Sequence, residues 1–194
     1  MDDRVESVCA DLRKTADDAK ATFGMLSVAQ LNWRPSEKGW SIAQCFDHLV
    51  TAHALYFPLL KRLEKGDLTR SFWEKYSPLS GFFGRFLIKS LDPKNPKRFK
   101  TTAKGQPSKS EIDGEIIERF YEHQLQMIEY LQKLPPSIDS DTFKITSPLL
   151  GFATYTLGDA LTFLPMHCHR HFDQAKRVME EKDFPIQMEA NYAK

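Results

Sequence analysis

The chain has no apolar run approaching the roughly 18 residues that a membrane-spanning helix needs, so no such helix is expected. It has little cysteine. Cys9, Cys45 and Cys168 are odd in number and far apart, which argues against a disulfide framework and suits reduced thiols in a cytosol. All three fall in helical apolar patterns and are expected in the core. Net charge is nearly absent. Against 27 Lys and Arg stand 26 Asp and Glu, leaving +1 and no global pull toward nucleic acid or an anionic membrane. Residues 1–6 are acidic and polar, the wrong chemistry for a signal peptide, and a cytoplasmic protein is expected. No glycine-rich phosphate loop, no Ser/His/Asp or Cys/His nucleophile set, no internal repeat and no convincing strand is visible. The remaining composition, 41% hydrophobic and 27% charged over 194 residues, is that of one globular domain.

Apolar spacing of three and four dominates what is there. Val5, Val8, Leu12, Ala16, Ala19, Phe23 and Leu26 predict a helix over residues 3–26. Pro35 and Gly39 then mark a loop, and Trp33 and Trp40 within it suggest a link pinned to the rest. Ser41-Ile42-Ala43-Gln44 has the form of a capping box, with Trp40 and Cys45 at the flanking staple positions. A second helix over 42–64 carries an inward stripe of Cys45, His48, Leu49, Ala52, Tyr56, Leu59 and Leu63. His53 does not share that face well and reads as a rim residue.

Residues 66–110 are harder to read. Ser77-Pro78 opens a short helix with a greasy side of Leu79, Phe82, Phe83, Phe86, Leu87 and Leu91, stopped by residues 92–96. Residues 93–110 hold six Lys and Arg and no acid. This segment reads as a solvated crossover loop beside a lid-like helix rather than a nucleic-acid or membrane patch. A third helix spans 110–134, with His123 and Gln124 interrupting its stripe, and Pro135-Pro136 ends it. Residues 135–156 form a connection too long for a simple turn. Thr156-Leu157-Gly158-Asp159 is a second capping-box pattern, and the helix it starts runs to about residue 182. The expected fold is an all-α, up-and-down four-helix bundle with a long crossover, one domain over 1–182, and a loose tail over 183–194.

Three of the six histidines lie in residues 164–174. Leu157, Ala160, Leu164, His167, His171, Ala175 and Val178 follow one another at spacings of three or four, which puts His167 and His171 one turn apart on the inward face. His169 is about 200° away from His167. An i, i+4 histidine pair can direct two ring nitrogens at one metal ion. The spacing alone is a weak signal, met as well by a helix whose histidines are satisfied by hydrogen bonds. A lone inward histidine such as His48 is likewise more often a core residue than a ligand.

Two stretches resemble the DinB superfamily. Leu31-Asn32-Trp33-Arg34-Pro35, Trp40-Ser41-Ile42-Ala43-Gln44 and His48-Leu49 resemble its first signature. His167-Cys168-His169-Arg170-His171-Phe172-Asp173-Gln174 resembles its second, and Phe99-Lys100-Thr101 ahead of the third helix also fits. The resemblance is nearest the DinB_2 branch and covers nearly the whole chain. It implies a four-helix bundle, commonly dimeric, in which three histidines bind one divalent metal, frequently zinc or nickel. By position the ligands are His48, His167 and His171. Cys168 and Asp173 depart from some relatives within the second signature without removing a ligand.

Relatives of this kind include thiol transferases and isomerases using bacillithiol, mycothiol or glutathione. The resemblance therefore implies a metal-dependent thiol S-transferase with a small-molecule thiol partner, and a homodimer without nucleic-acid or membrane partners. Three imidazoles leave open coordination positions, where a thiol becomes a nucleophile or water instead gives hydrolysis. A hydrolase is thus a sibling reading, and a non-catalytic small-ligand-binding or stress-response protein is the other class. His53, His123 and Asp173 are weak candidates for a general base.

Overall fold

Apolar stripes of this kind can only be buried against one another, and the computed structural model shows how. It describes residues 3–95, 97, 103–108 and 111–185. In chain order the helices are α1 (Asp3–Phe23), α2 (Val28–Asn32), α3 (Ile42–Ala54), α4 (Phe57–Glu64), α5 (Phe72–Tyr76), α6 (Ser80–Leu91), α7 (Ile116–Gln132) and α8 (Leu157–Met179). Strands β1 (Lys144–Thr146) and β2 (Thr154–Thr156) precede α8. α1, α3, α7 and α8 make the expected four-helix bundle. α1 packs on α7 and α8, and α3 packs on the same two, so α1 and α3 occupy opposite corners. Each of the four helices sends one phenylalanine to the centre. Phe23 of α1 meets Phe46 of α3 at 5.4 Å and Phe172 of α8 at 5.5 Å, and Phe46 meets Phe120 of α7 at 4.9 Å. These edge-on and tilted approaches are the favoured aromatic geometries.

The structure departs from the sequence reading in several places, among them the start of α6, which opens at Ser80 rather than at Ser77-Pro78. The single helix expected over 42–64 is two, broken between Ala54 and Phe57. Pro58 is the reason: without an N–H it cannot bond the carbonyl four residues back, which belongs to Ala54, the last residue of α3. The connection over 135–156 holds an antiparallel pair, with Ile145 opposite Tyr155. Strands of three residues are too short to show a period of two, though β-branched and aromatic residues supply them. The basic segment is not simply solvated. Ser108 N–H donates to Asp47 Oδ2 at 2.8 Å, and Gln44 Nε2 donates to Ser108 O at 3.0 Å, tying residues 103–108 to α3. Finally, Phe184 and Pro185 lie in the segment read as tail but are docked. Phe184 packs edge-on to Trp33 at 5.6 Å, and Pro185 O accepts from Gln30 Nε2 at 2.8 Å. Phe99-Lys100-Thr101 and residues 186–194 lie outside the described residues.

α6 closes one side of the bundle by lying against α8 and β2. Its close seat depends on Gly84: a Cβ there would run into the carboxylate of Asp159, which caps Thr156 at the start of α8. Among the described residues, no helix is long and apolar enough to cross a membrane.

Candidate metal centre

Two capping boxes set the positions of the three histidines. Ser41 Oγ accepts from Gln44 N–H at 3.1 Å while Gln44 Oε1 accepts from Ser41 N–H at 3.1 Å, fixing where α3 begins and so where His48 falls. Thr156 and Asp159 do the same for α8 at 3.0 and 2.9 Å, which sets His167 and His171 one turn apart. A box of this type stabilises a helix start by about 1 kcal/mol. The packing of α3 on α8 then brings the three rings together.

One nitrogen from each of His48, His167 and His171 lies within 4.8 Å of the others. Nε2 of His48 and Nε2 of His167 approach to 3.0 Å. All three residues are at least nine-tenths buried. Their other nitrogens are occupied from outside the cluster. His48 Nδ1 meets the carbonyl oxygen of Gly105, His167 Nδ1 meets His53 Nε2 at 3.0 Å, and His171 Nδ1 meets Gln174 Oε1 at 3.1 Å. Two of these three partners are pure acceptors, so His48 and His171 donate from Nδ1 and carry bare lone pairs on Nε2. Burial lowers the pKa of His48, against the raising effect of its Gly105 bond. Burial, reinforced by the neighbouring imidazoles, holds His167 and His171 well below the usual histidine value. The rings are therefore neutral around pH 7, the form in which imidazole binds a metal. Three neutral nitrogen donors converging on one point could hold a divalent metal ion. Among the described residues, no carboxylate or thiolate joins the cluster.

Trp40 roofs the centre. Its ring stacks on His171 at 5.5 Å, 19° from parallel, and leans on His48 at 5.0 Å. Beyond it opens a cavity of about 1370 Å³ with all three histidines in its wall. Phe86, Leu91, Leu150 and Phe163 are among its apolar lining residues, and Arg34 and Arg177, both exposed, line it as well. Arg170 also reaches the cavity, but its guanidinium is engaged by the carbonyls of Asp92, Asn95 and Lys97 at 3.0, 3.0 and 2.7 Å, where it anchors the crossover.

The remaining candidates fall elsewhere. His169 points away and bonds Asp11 at 2.9 Å, as its position on the helix requires. Asp173 lines the cavity but is exposed. His123 is buried against the face of Phe57 at 4.7 Å and stands outside the cluster. Cys168 is buried, and burial pushes its thiol up, away from the reactive thiolate. His53 corrects the rim assignment: it is 1% exposed and touches His167 directly. A signal for it exists, since Cys45, Leu49 and His53 are spaced by four on one buried row. Gly105 contributes only its backbone carbonyl, which no side-chain pattern announces.

No curated protein matches the chain. Among solved structures, YfiT from Bacillus subtilis is similar, with a TM-score of 0.57 and 16% identity over 93% of this chain and 88% of that one. That protein is described as a probable metal-dependent hydrolase with an unusual four-helix bundle topology, and at this identity the likeness speaks to the fold. The DinB superfamily model matches residues 11–175, a span that takes in α3 with its capping box, the crossover and the histidine pair of α8. Since the match runs through every element that builds the centre and through most of the chain, the protein belongs to the DinB superfamily.

Proposed function

We propose that the protein is a metal-dependent thiol S-transferase acting on small electrophiles, with zinc or nickel held by His48, His167 and His171. The observation that carries this reading is the size of the space in front of the three histidines. Pockets for one small molecule commonly measure about 300–1,000 Å³. At about 1370 Å³ and open to solvent, this cavity has room for a thiol beside an electrophile, as a transfer reaction requires. Its lining suits both partners. The apolar wall of Phe86, Leu91, Leu150 and Phe163 favours a hydrophobic electrophile, while Arg34 and Arg177 suit the carboxylates of a thiol such as glutathione or bacillithiol. When bound, a divalent ion at such a centre lowers the pKa of a thiol or water that reaches it. The chain's own part is to keep three imidazoles neutral and oriented, and to screen them from bulk water beneath Trp40.

The test is conjugation of a chlorinated aromatic or an epoxide with glutathione, bacillithiol and mycothiol in turn, using protein loaded with zinc or nickel. At least one pairing is expected to accelerate, and the same protein carrying His48→Ala is expected to be inactive. A hydrolase is the second reading, supported by the description of YfiT. Turnover of esters or amides with no thiol conjugation would replace the first reading by the second. Silence in both assays would leave a metal-dependent binding protein.

The same proposal includes a homodimer. Phe72, Tyr76, Phe82 and Phe152 are between 58% and 77% exposed on α5, α6 and the hairpin loop, apolar surface that a second copy would cover. Light scattering is expected to give twice 22.4 kDa at micromolar concentration, and a monomer mass would remove this element of the proposal.

A further inference from the structure

Next to the metal centre, and reaching the cavity wall only at His53, lies a row of buried polar side chains that the proposed reaction does not use. His53 Nε2 meets His167 Nδ1 at 3.0 Å, and His53 Nδ1 faces Cys168 Sγ at 4.0 Å. Cys168 Sγ in turn faces Gln124 Oε1 at 3.8 Å, and Gln124 Nε2 faces His123 Nδ1 at 3.4 Å. His53, Cys168 and Gln124 are at most 1% exposed, so solvent cannot satisfy them.

We propose that His53 is the residue that orients His167 for metal binding, by accepting a hydrogen bond from its Nδ1–H and so leaving the lone pair on Nε2. The inference rests on the reading of His48, His167 and His171 as ligands. Unlike Gly105 O and Gln174 Oε1, the partner of His167 is itself an imidazole, able to donate or accept, so the direction of this bond must be set from beyond it. The row sets it. With a hydrogen on His167 Nδ1, His53 accepts at Nε2 and carries its own hydrogen on Nδ1, which faces the sulfur of Cys168. The Cys168 S–H then donates to Gln124 Oε1, and the Gln124 amide donates to His123 Nδ1. Every polar atom between His167 and His123 has a consistent role. Run the other way, His53 Nε2–H donates to His167 Nδ1, and a neutral His167 holds its hydrogen on Nε2, where it donates to His48 Nε2 at 3.0 Å and leaves no lone pair there for an ion. Outer partners of metal-bound histidines act in this way, fixing tautomer and ring plane, and their loss commonly weakens metal binding by about 10–100-fold. The loose end falls at His123 Nε2, which is buried without a partner beneath Phe57.

The experiment compares zinc affinity, by chelator competition, in the wild type, His53→Phe and His53→Gln, with circular dichroism to confirm folding. Glutamine can present its oxygen where His53 presents Nε2; phenylalanine fills the space without an acceptor. Phenylalanine is expected to lose about 10–100-fold in affinity and glutamine to stay within a few-fold of the wild type. Nitrogen-15 spectra of the zinc-loaded wild type are expected to show His167 protonated at Nδ1, with that N–H hydrogen-bonded to His53 Nε2. Equal affinity in the two variants and the wild type, or a His167 hydrogen found on Nε2, overturns the role of His53. Failure of the wild type to bind any divalent ion overturns the ligand reading itself, a separate result. Should His53→Phe not fold, the spectra and the glutamine variant decide.

Discussion

Replacing His48, His167 or His171 by alanine is expected to lower zinc affinity by more than about 100-fold, beyond what loss of an outer partner costs. His169→Ala is expected to change it by less than a few-fold. The contrast is sharp because His169 sits between His167 and His171 in sequence yet bonds Asp11 on another face. Each ligand substitution also leaves its former partner, Gly105 O, His53 Nε2 or Gln174 Oε1, without a donor. Chelator competition on purified variants checks the expectation. A comparable loss from His169→Ala, or none from one of the three, would mean that a different set of nitrogens holds the ion.

The metal-free protein is expected to lose stability steeply on mild acidification. His48, His53, His123, His167 and His171 all have pKa values lowered from 6.5 in the folded state, with burial as the largest cause. In the unfolded chain they titrate at the ordinary value. Below pH 6.5 the unfolded state therefore binds more protons than the folded one, and the free energy of unfolding falls as the pH falls. The stabilisation is complete above 6.5 and is lost progressively down to each folded pKa. For His123, held at about 4, this amounts to about 3 kcal/mol across the window. Urea unfolding at a series of pH values between about 7 and 5 should show the midpoint dropping at nearly constant slope. His123→Phe keeps the stack on Phe57, removes one proton-binding site and should flatten the curve. A midpoint independent of pH in that interval would contradict the account. Metal occupancy should fall over the same range, because protons compete for the same nitrogens.

What could be read from the residues was whatever depends on local spacing. Ser41 with Gln44, and Thr156 with Asp159, mark the two helix starts that place the histidines, and both boxes are present in the structure. His48, His167 and His171 are the three rings the fold brings together. The parts that escaped depend on tertiary approach. His53 lies about 140° from His48 around α3, so the helix alone separates them. His167 enters between and touches both, at 3.0 Å each. The Gly105 carbonyl reaches His48 only because Gln44 and Asp47 hold residues 103–108 in place. The break before α4 was legible in Pro58, whereas β1 and β2 were too short to register against a helical background.

His48 and His167 are 119 residues apart in sequence, and the centre closes only when α8 packs against α3. During synthesis the first of these histidines leaves the ribosome long before the other two exist. A nascent chain that ends before α8 can offer an ion only one of the three nitrogens, too few to retain it. Loading of an ion at these nitrogens would thereby be postponed until the last bundle helix has docked. An ion held there would act as a late clasp between the two halves of the chain, resisting their separation only in molecules that have already folded.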